Sequence, residues 1–311
     1  MIFTVTLNPA VDKTLRIPNF SVGQVNRVES LRVDAGGKGI NVSKTVKELK
    51  GESTAFGFIG GKSGEYIKEY LDAIGIKNDF LWINSDIRTN IKIVDTINNT
   101  FTDINEAGPT VSQKDLEKIM KKILDAAYEN SVLVLSGSIP NGLGSSTYKD
   151  IIEYVSPKNV KVILDAEGEL FTEGIKASPY LVKPNKYELE KAFNIKIDND
   201  LVLIEVCRKV IAMGVKYVVV SLGENGSVMV SKDKVLKAKG LKVDVKSTVG
   251  AGDSMVAALA LSIERNYEMD YALRFAAATS TANVMTEGTQ TAEYEVINEL
   301  INKIEIVEIN M

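Results

Sequence analysis

Tyr217-Val218-Val219-Val220-Ser221-Leu222, followed at once by Gly223-Glu224-Asn225-Gly226, is an apolar run of strand length that stops in a permissive turn. Apolar side chains at successive positions mark a strand covered on both faces, as in a parallel sheet between helical layers. Segments 132–135, 160–164 and 180–182 repeat this character. Upstream, 3–7 and 54–59 read as strands, and 40–49 and 65–73 as helices. Leu116, Ile119, Met120, Ile123, Leu124 and Ala127 fall on one face of a further helix. This alternation predicts a doubly wound, mainly parallel α/β sheet with right-handed crossovers.

Two segments break the rhythm. Residues 13–34 and 86–106 show strand-like alternation with no helix between, and Asn98-Asn99 supplies a turn inside the second. They predict a small separate β-sheet, placed to act as a lid and to pair with another subunit through its open face.

The chain has 311 residues, a formal net charge of −4, 45% hydrophobic and 25% charged residues, within the ordinary globular range. A net negative chain has no global field for nucleic acid or anionic membranes. No apolar run is long enough for a membrane span, and the start lacks the basic and apolar regions of a signal peptide, so a cytoplasmic protein is expected. Histidine is absent and cysteine occurs once, as Cys207, which excludes His-dependent triads, His- or Cys-built zinc sites and an internal disulfide. Cys207 shares a helical face with Leu203, Val206 and Val210 and reads as a buried apolar side chain. Any general base must then be a carboxylate, a lysine or a tyrosine.

Ser247-Thr248-Val249-Gly250-Ala251-Gly252-Asp253-Ser254 is a glycine-rich turn that opens a small, apolar helix. Such a helix start offers free N–H groups to an anion, and an Asp beside it sets a base next to that site, as phosphoryl transfer requires. The alternative is that Asp253 merely caps the helix. Ala35-Gly36-Gly37-Lys38-Gly39-Ile40-Asn41-Val42 is a second such turn, readable also as a tight strand-to-helix joint. Gly57-Phe58-Ile59-Gly60-Gly61-Lys62-Ser63 imitates a Walker A loop, but its first glycine would fall at Phe56. In Lys183-Pro184-Asn185-Lys186-Tyr187-Glu188, Asn185 and Glu188 lie one turn apart, suited to Mg²⁺ waters or to a capping box. Ser221, Gly223 and Gly226 sit where a ligand meets a strand's carboxyl end. Arg88 and Arg27 are candidate phosphate clamps or plain surface charge.

The two glycine turns resemble the signatures of the PfkB group of ribokinase-like sugar kinases, and the resemblance runs over essentially the whole chain. Residues 6–15, with Lys38, are similar to the branch that phosphorylates sugar phosphates. Segments 88–92, 103–106, 164–167 and 185–190 look most like its members acting on fructose 1-phosphate. The resemblance implies a three-layer α/β/α sandwich forming one domain, 1–311, with the small sheet as lid. It implies that ATP and Mg²⁺ serve phosphorylation of fructose 1-phosphate to fructose 1,6-bisphosphate. Tagatose 6-phosphate or fructose 6-phosphate is the alternative acceptor. Asp253 would be the base and Gly250, Ala251 and Gly252 the anion hole. Asp12, Gly37, Lys38, Asn41, Arg88 and Ser138 would bind the sugar phosphate. Lys183, Asn185, Ser221, Gly223, Gly226 and Thr248 would surround ATP, with Glu188 toward the metal, and the lid would form a homodimer. Ala258 departs from the glycine common there, a packing difference. A nicotinamide dehydrogenase would need G-x-G-x-x-G where the chain has Asn8-Pro9-Ala10-Val11-Asp12. The intact Asp253 turn argues against a catalytically silent sugar-phosphate sensor.

Overall fold

The computed structural model describes residues 1–309. Among them, an eleven-stranded sheet forms the centre. From one edge its order is Ile306–Glu308, Val235–Ala238, Ser227–Val230, Tyr217–Ser221, Leu181–Val182, Lys161–Asp165, Val132–Ser136, Ile2–Thr6, Ser53–Ile59 and Lys77–Asn78. Leu81–Trp82 also pairs with Ser53–Ile59. Pairing is parallel from Tyr217–Ser221 across to Lys77–Asn78, and antiparallel in the extension beyond it.

The apolar runs are continuous because each strand feeds two cores. Phe3, Val5, Leu133, Leu135, Val218 and Val220 pack under the helices Gln113–Ala126, Thr147–Val155 and Asp200–Ala212. Their neighbours Ile2, Val132, Val134, Ile163 and Val219 point the other way, under Lys38–Glu48, Ala251–Glu264 and Met269–Val284. Cys207 lies fully buried in the first core, and burial pushes its thiol up to about 12, which leaves it inert at neutral pH. Ala258 is buried within the second core. The antiparallel extension, not expected from the chain's β-α rhythm, consists of short strands joined by the tight Ser231–Lys234 turn.

The second sheet has four strands, ordered Ser30–Gly36, Ala10–Arg16, Arg88–Asp95 and Thr100–Asn105. It begins at Ala10, three residues before the expected 13, because Ala10 and Val11 are buried and so resemble the end of the central strand. Alternation gives it two different faces. Asp12 lies between Asp34 and Asn90, and Thr14 between Arg32 and Lys92, on the face lining a cleft of ≈ 250 Å³. Leu31 and Ile104 belong to the other face and are more than half exposed.

Candidate active site

The carboxyl ends of the central strands set the site's floor. Thr6, Ser136 and Asp165 each end a parallel strand there. Each carries a buried oxygen with no hydrogen-bond partner among the described residues: Thr6 Oγ1, Ser136 Oγ and Asp165 Oδ2. Asn41 Oδ1 and Asn90 Oδ1 are orphaned nearby. Buried polar groups are nearly always paired, so a concentration of orphans at one sheet edge marks a ligand's place.

Gly250 takes the left-handed conformation (φ 83°) that turns the chain into the helix Ala251–Glu264. Asp253, third in that helix, is 7% exposed. Its side chain makes no capping bond; its Oδ2 accepts a hydrogen bond of 2.8 Å from Asn41 Nδ2. The capping alternative is therefore ruled out by geometry. Burial, then the negative charge of Asp165, pushes the Asp253 carboxyl up to about 6, against the opposing pull of Asn41, Lys38 and Lys183.

Asp165 is the group that reading the chain left outside the candidate set. It is 2% exposed at the end of Lys161–Asp165, with Lys183 Nζ at 3.2 Å and Lys38 Nζ at 3.7 Å. Burial alone would raise its pKa, but the two lysines overcome this and hold the carboxyl below its usual range. Asp165 in turn raises Lys38, against desolvation. Lys183 Nζ also lies 3.4 Å from where a Cβ on Gly252 would stand, so this ammonium faces the start of the helix. Lys38, Lys183, Asp165, Asn41 and Asp253 thus form one cluster.

Asp12 lines the cleft beside the small sheet, and the charge of Arg88 acts on it. A Cβ on Gly36 would come 2.0 Å from Asp12 Oδ2, and Gly37 (φ 120°) leaves no room for one beside Thr6. The second glycine turn is thus a joint that also lets a carboxylate approach the backbone. Asn90 Nδ2 donates to Asp12 Oδ1 at 2.9 Å. Burial raises the Asp12 carboxyl, which Asn90, Lys44 and Arg88 partly offset. Arg88 Nε donates to the Asn8 carbonyl, and Asn8 Nδ2 donates to Ser138 Oγ at 3.3 Å. Asn8 and Asn90 lie within segments 6–15 and 88–92, but single asparagines in strand-like surroundings carry no spacing signal that assigns them a role. Arg27 is exposed and takes no part in this cluster.

The remaining candidates lie along the adjoining strand ends. Asn185 and Glu188 form the complete capping box of the helix Lys186–Phe193, at 2.8 Å in both directions. Glu188 nevertheless reaches Lys38 through its charge. Ser221 bridges to Asn185, and Gly223 and Gly226 bracket the turn that follows. Thr248 is exposed and its carbonyl accepts from Ala251 N. Lys62 of the Walker-like stretch is 93% exposed and paired with Glu65.

The family model described as pfkB family carbohydrate kinase matches residues 5–295. The chain is 36% identical to a 1-phosphofructokinase of Borreliella burgdorferi over 99% of both chains. It is 32% identical to a tagatose-6-phosphate kinase of Staphylococcus epidermidis over 99% of this chain and 100% of the other. Phosphofructokinase-2 of Escherichia coli, solved with substrates and products, superposes with a TM-score of 0.92 at 25% identity, covering 97% and 98% of the two chains. That enzyme has also been solved in a tetrameric inhibited form.

Proposed function

Since this chain belongs to the pfkB family of carbohydrate kinases, we propose that it transfers the γ-phosphoryl group of ATP to fructose 1-phosphate, giving fructose 1,6-bisphosphate. The observation that carries this reading is the Asp253 carboxylate, uncapped and held by Asn41 at the first turn of a helix, beside the charges of Asp165, Lys38 and Lys183. Asp253 accepts the proton of the attacking hydroxyl. The N–H groups of Gly250, Ala251 and Gly252 receive the transferring phosphoryl oxygens. Asp12 and Asn41 hold sugar hydroxyls, with Gly37 giving close backbone approach. Arg88 and Ser138 hold the phosphate the acceptor already carries. Lys38, tied to Asp165, supplies positive charge where acceptor and donor phosphates meet. Lys183, Asn185, Ser221, Gly223, Gly226 and Thr248 surround ATP. The whole chain acts as one kinase domain with the small sheet as its lid.

The donors present fit Mg²⁺ carried in by the nucleotide. Glu188 spends Oε2 on the capping box, which leaves Oε1 for a hydrated cation. No cluster of three or more acidic, His or Cys side chains suited to a metal occurs among the described residues, so phosphates and water must complete the shell. Mg²⁺ would neutralise charge on the transferring phosphates.

The acceptor is tested by assaying ADP release with fructose 1-phosphate, tagatose 6-phosphate and fructose 6-phosphate side by side. Fructose 1-phosphate is expected to give the highest kcat/KM; equal or faster turnover of tagatose 6-phosphate would replace the proposed acceptor. The exposed apolar side chains Leu31 and Ile104 support a homodimer joined through the lid. A Leu31→Lys/Ile104→Lys variant is expected to sediment as monomer where the parent is a dimer, and an unchanged dimer would place the interface elsewhere. No helix among the described residues is long and apolar enough to cross a membrane; we place the enzyme in the cytoplasm.

A further inference from the structure

Lys44 lies on the helix Lys38–Glu48, which is buried from Gly39 to Val46. It is a lysine 8% exposed, in a segment with no other charged side chain. Its Nζ donates to the Ala35 carbonyl at 3.1 Å, immediately before the Gly36-Gly37 joint. The charges acting on it come from three elements, Asp34 and Arg32 on Ser30–Gly36, Asp12 on Ala10–Arg16 and Asp253 on Ala251–Glu264, while Arg88 on Arg88–Asp95 acts on Asp12. Asp34 is bound to Arg32 Nε at 2.8 Å, so its charge has its own partner. Among the described residues Asp12 has only the neutral Asn90 amide as a side-chain hydrogen-bond donor, and the Gly36 backbone closes over its Oδ2.

We propose that Lys44 is a positioning residue for acceptor binding: from beneath the glycine joint it supplies the buried positive charge that keeps Asp12 an ionised hydrogen-bond acceptor for sugar hydroxyls. This rests on the reading of Asp12 as an acceptor-binding group. Burial favours the neutral form of both Asp12 and Lys44, and each opposes that tendency in the other. Remove the ammonium and Asp12 rises further, so it holds a proton to higher pH than in the parent, and a protonated carboxyl is a donor on one oxygen. Lys44 touches neither reactant. Its loss should therefore appear in acceptor affinity, leaving the rate at saturation largely intact.

The test compares Lys44→Met, Lys44→Gln and Lys44→Arg with Asp12→Asn, each checked by circular dichroism and thermal melting. In Lys44→Met the acceptor KM should rise about ten- to hundredfold, the weight of one charge-assisted hydrogen bond. The rise should be larger at pH 6 than at pH 8.5, with kcat within about threefold and the KM for ATP unmoved. Lys44→Gln keeps a donor toward Ala35 without charge and should behave similarly; it carries the test if the Met variant does not fold. Lys44→Arg should restore the parent KM. In an Asp12→Asn background, Lys44→Met should add no further pH dependence. If Asp12→Asn raises the acceptor KM but both neutral Lys44 variants match the parent across pH, the proposal for Lys44 fails alone. If Asp12→Asn leaves the acceptor KM unchanged, the reading of Asp12 fails and the proposal with it.

Discussion

Replacing Asp253 by Asn should lower kcat by about 10²–10⁴-fold, the usual contribution of a general base, while binding of ATP measured by calorimetry is retained. The amide keeps the shape of the side chain and its place beside Asn41 Nδ2, but it cannot take the proton of the attacking hydroxyl. The pH dependence has a definite sign. As the proposed base Asp253 works only when ionised, and its carboxyl is pushed up to about 6 by burial and by Asp165. The kcat/KM of the parent should therefore be flat above that region and fall about tenfold per pH unit below it. Asp253→Asn should lose this acid limb along with the rate. Near-normal turnover in the variant, or an acid limb that persists in it unchanged, would remove Asp253 from the role.

The second large effect is expected at Asp165. It is the buried counter-charge for Lys183, itself only 5% exposed, and for the more open Lys38. Asp165→Asn leaves Lys183 as an uncompensated buried cation, at a cost of about 3–5 kcal/mol for breaking such a pair from one side; the pair with Lys38, partly in solvent, adds little. Denaturant titration reads this loss. Because the Asp165 carboxyl is held below its usual range, the stability it gives the parent is complete above the carboxylate pKa of the unfolded chain and is lost as pH falls through the depressed folded value. Catalysis should change as well. With Asp165 neutral, Asp253 loses a repelling charge and faces two unpaired lysines, so the acid limb of the pH–rate profile should move to lower pH. A variant of parental stability whose acid limb has not moved would contradict the two-lysine account.

Much of the fold is legible in the chain because its signals are local. Continuous apolar runs at 132–135 and 217–222 announce strands buried on both faces, and the structure shows why: successive side chains enter different cores. The turn at Gly250–Asp253 is legible because a helix start, an anion site and an acid within four residues are a short-range pattern. The antiparallel extension is harder to read. Ser227–Val230 and Val235–Ala238 are four residues each, too short for a period to declare itself. In the site, Asp165, Lys44, Asn8 and Asn90 gave no local signal. Each acquires its part from a partner on another element: Asp165 from Lys38, Lys44 from Asp12, Asn8 from Ser138, Asn90 from Asp12.

What the sequence determined by itself is the alternation of strands and helices, the two glycine turns, and the absence of histidine, which restricts a general base to a carboxylate, a lysine or a tyrosine. Tertiary structure decided which carboxylate is which. Asp165 and Asp253 are both buried aspartates at one sheet edge. Two lysines brought in by other strands and helices hold Asp165 ionised, while Asp253, with a neutral amide as its direct partner and Asp165 nearby, is left with a raised pKa. Burial and charge depend on which distant segments meet, and that is settled only by the order of strands in the folded sheet.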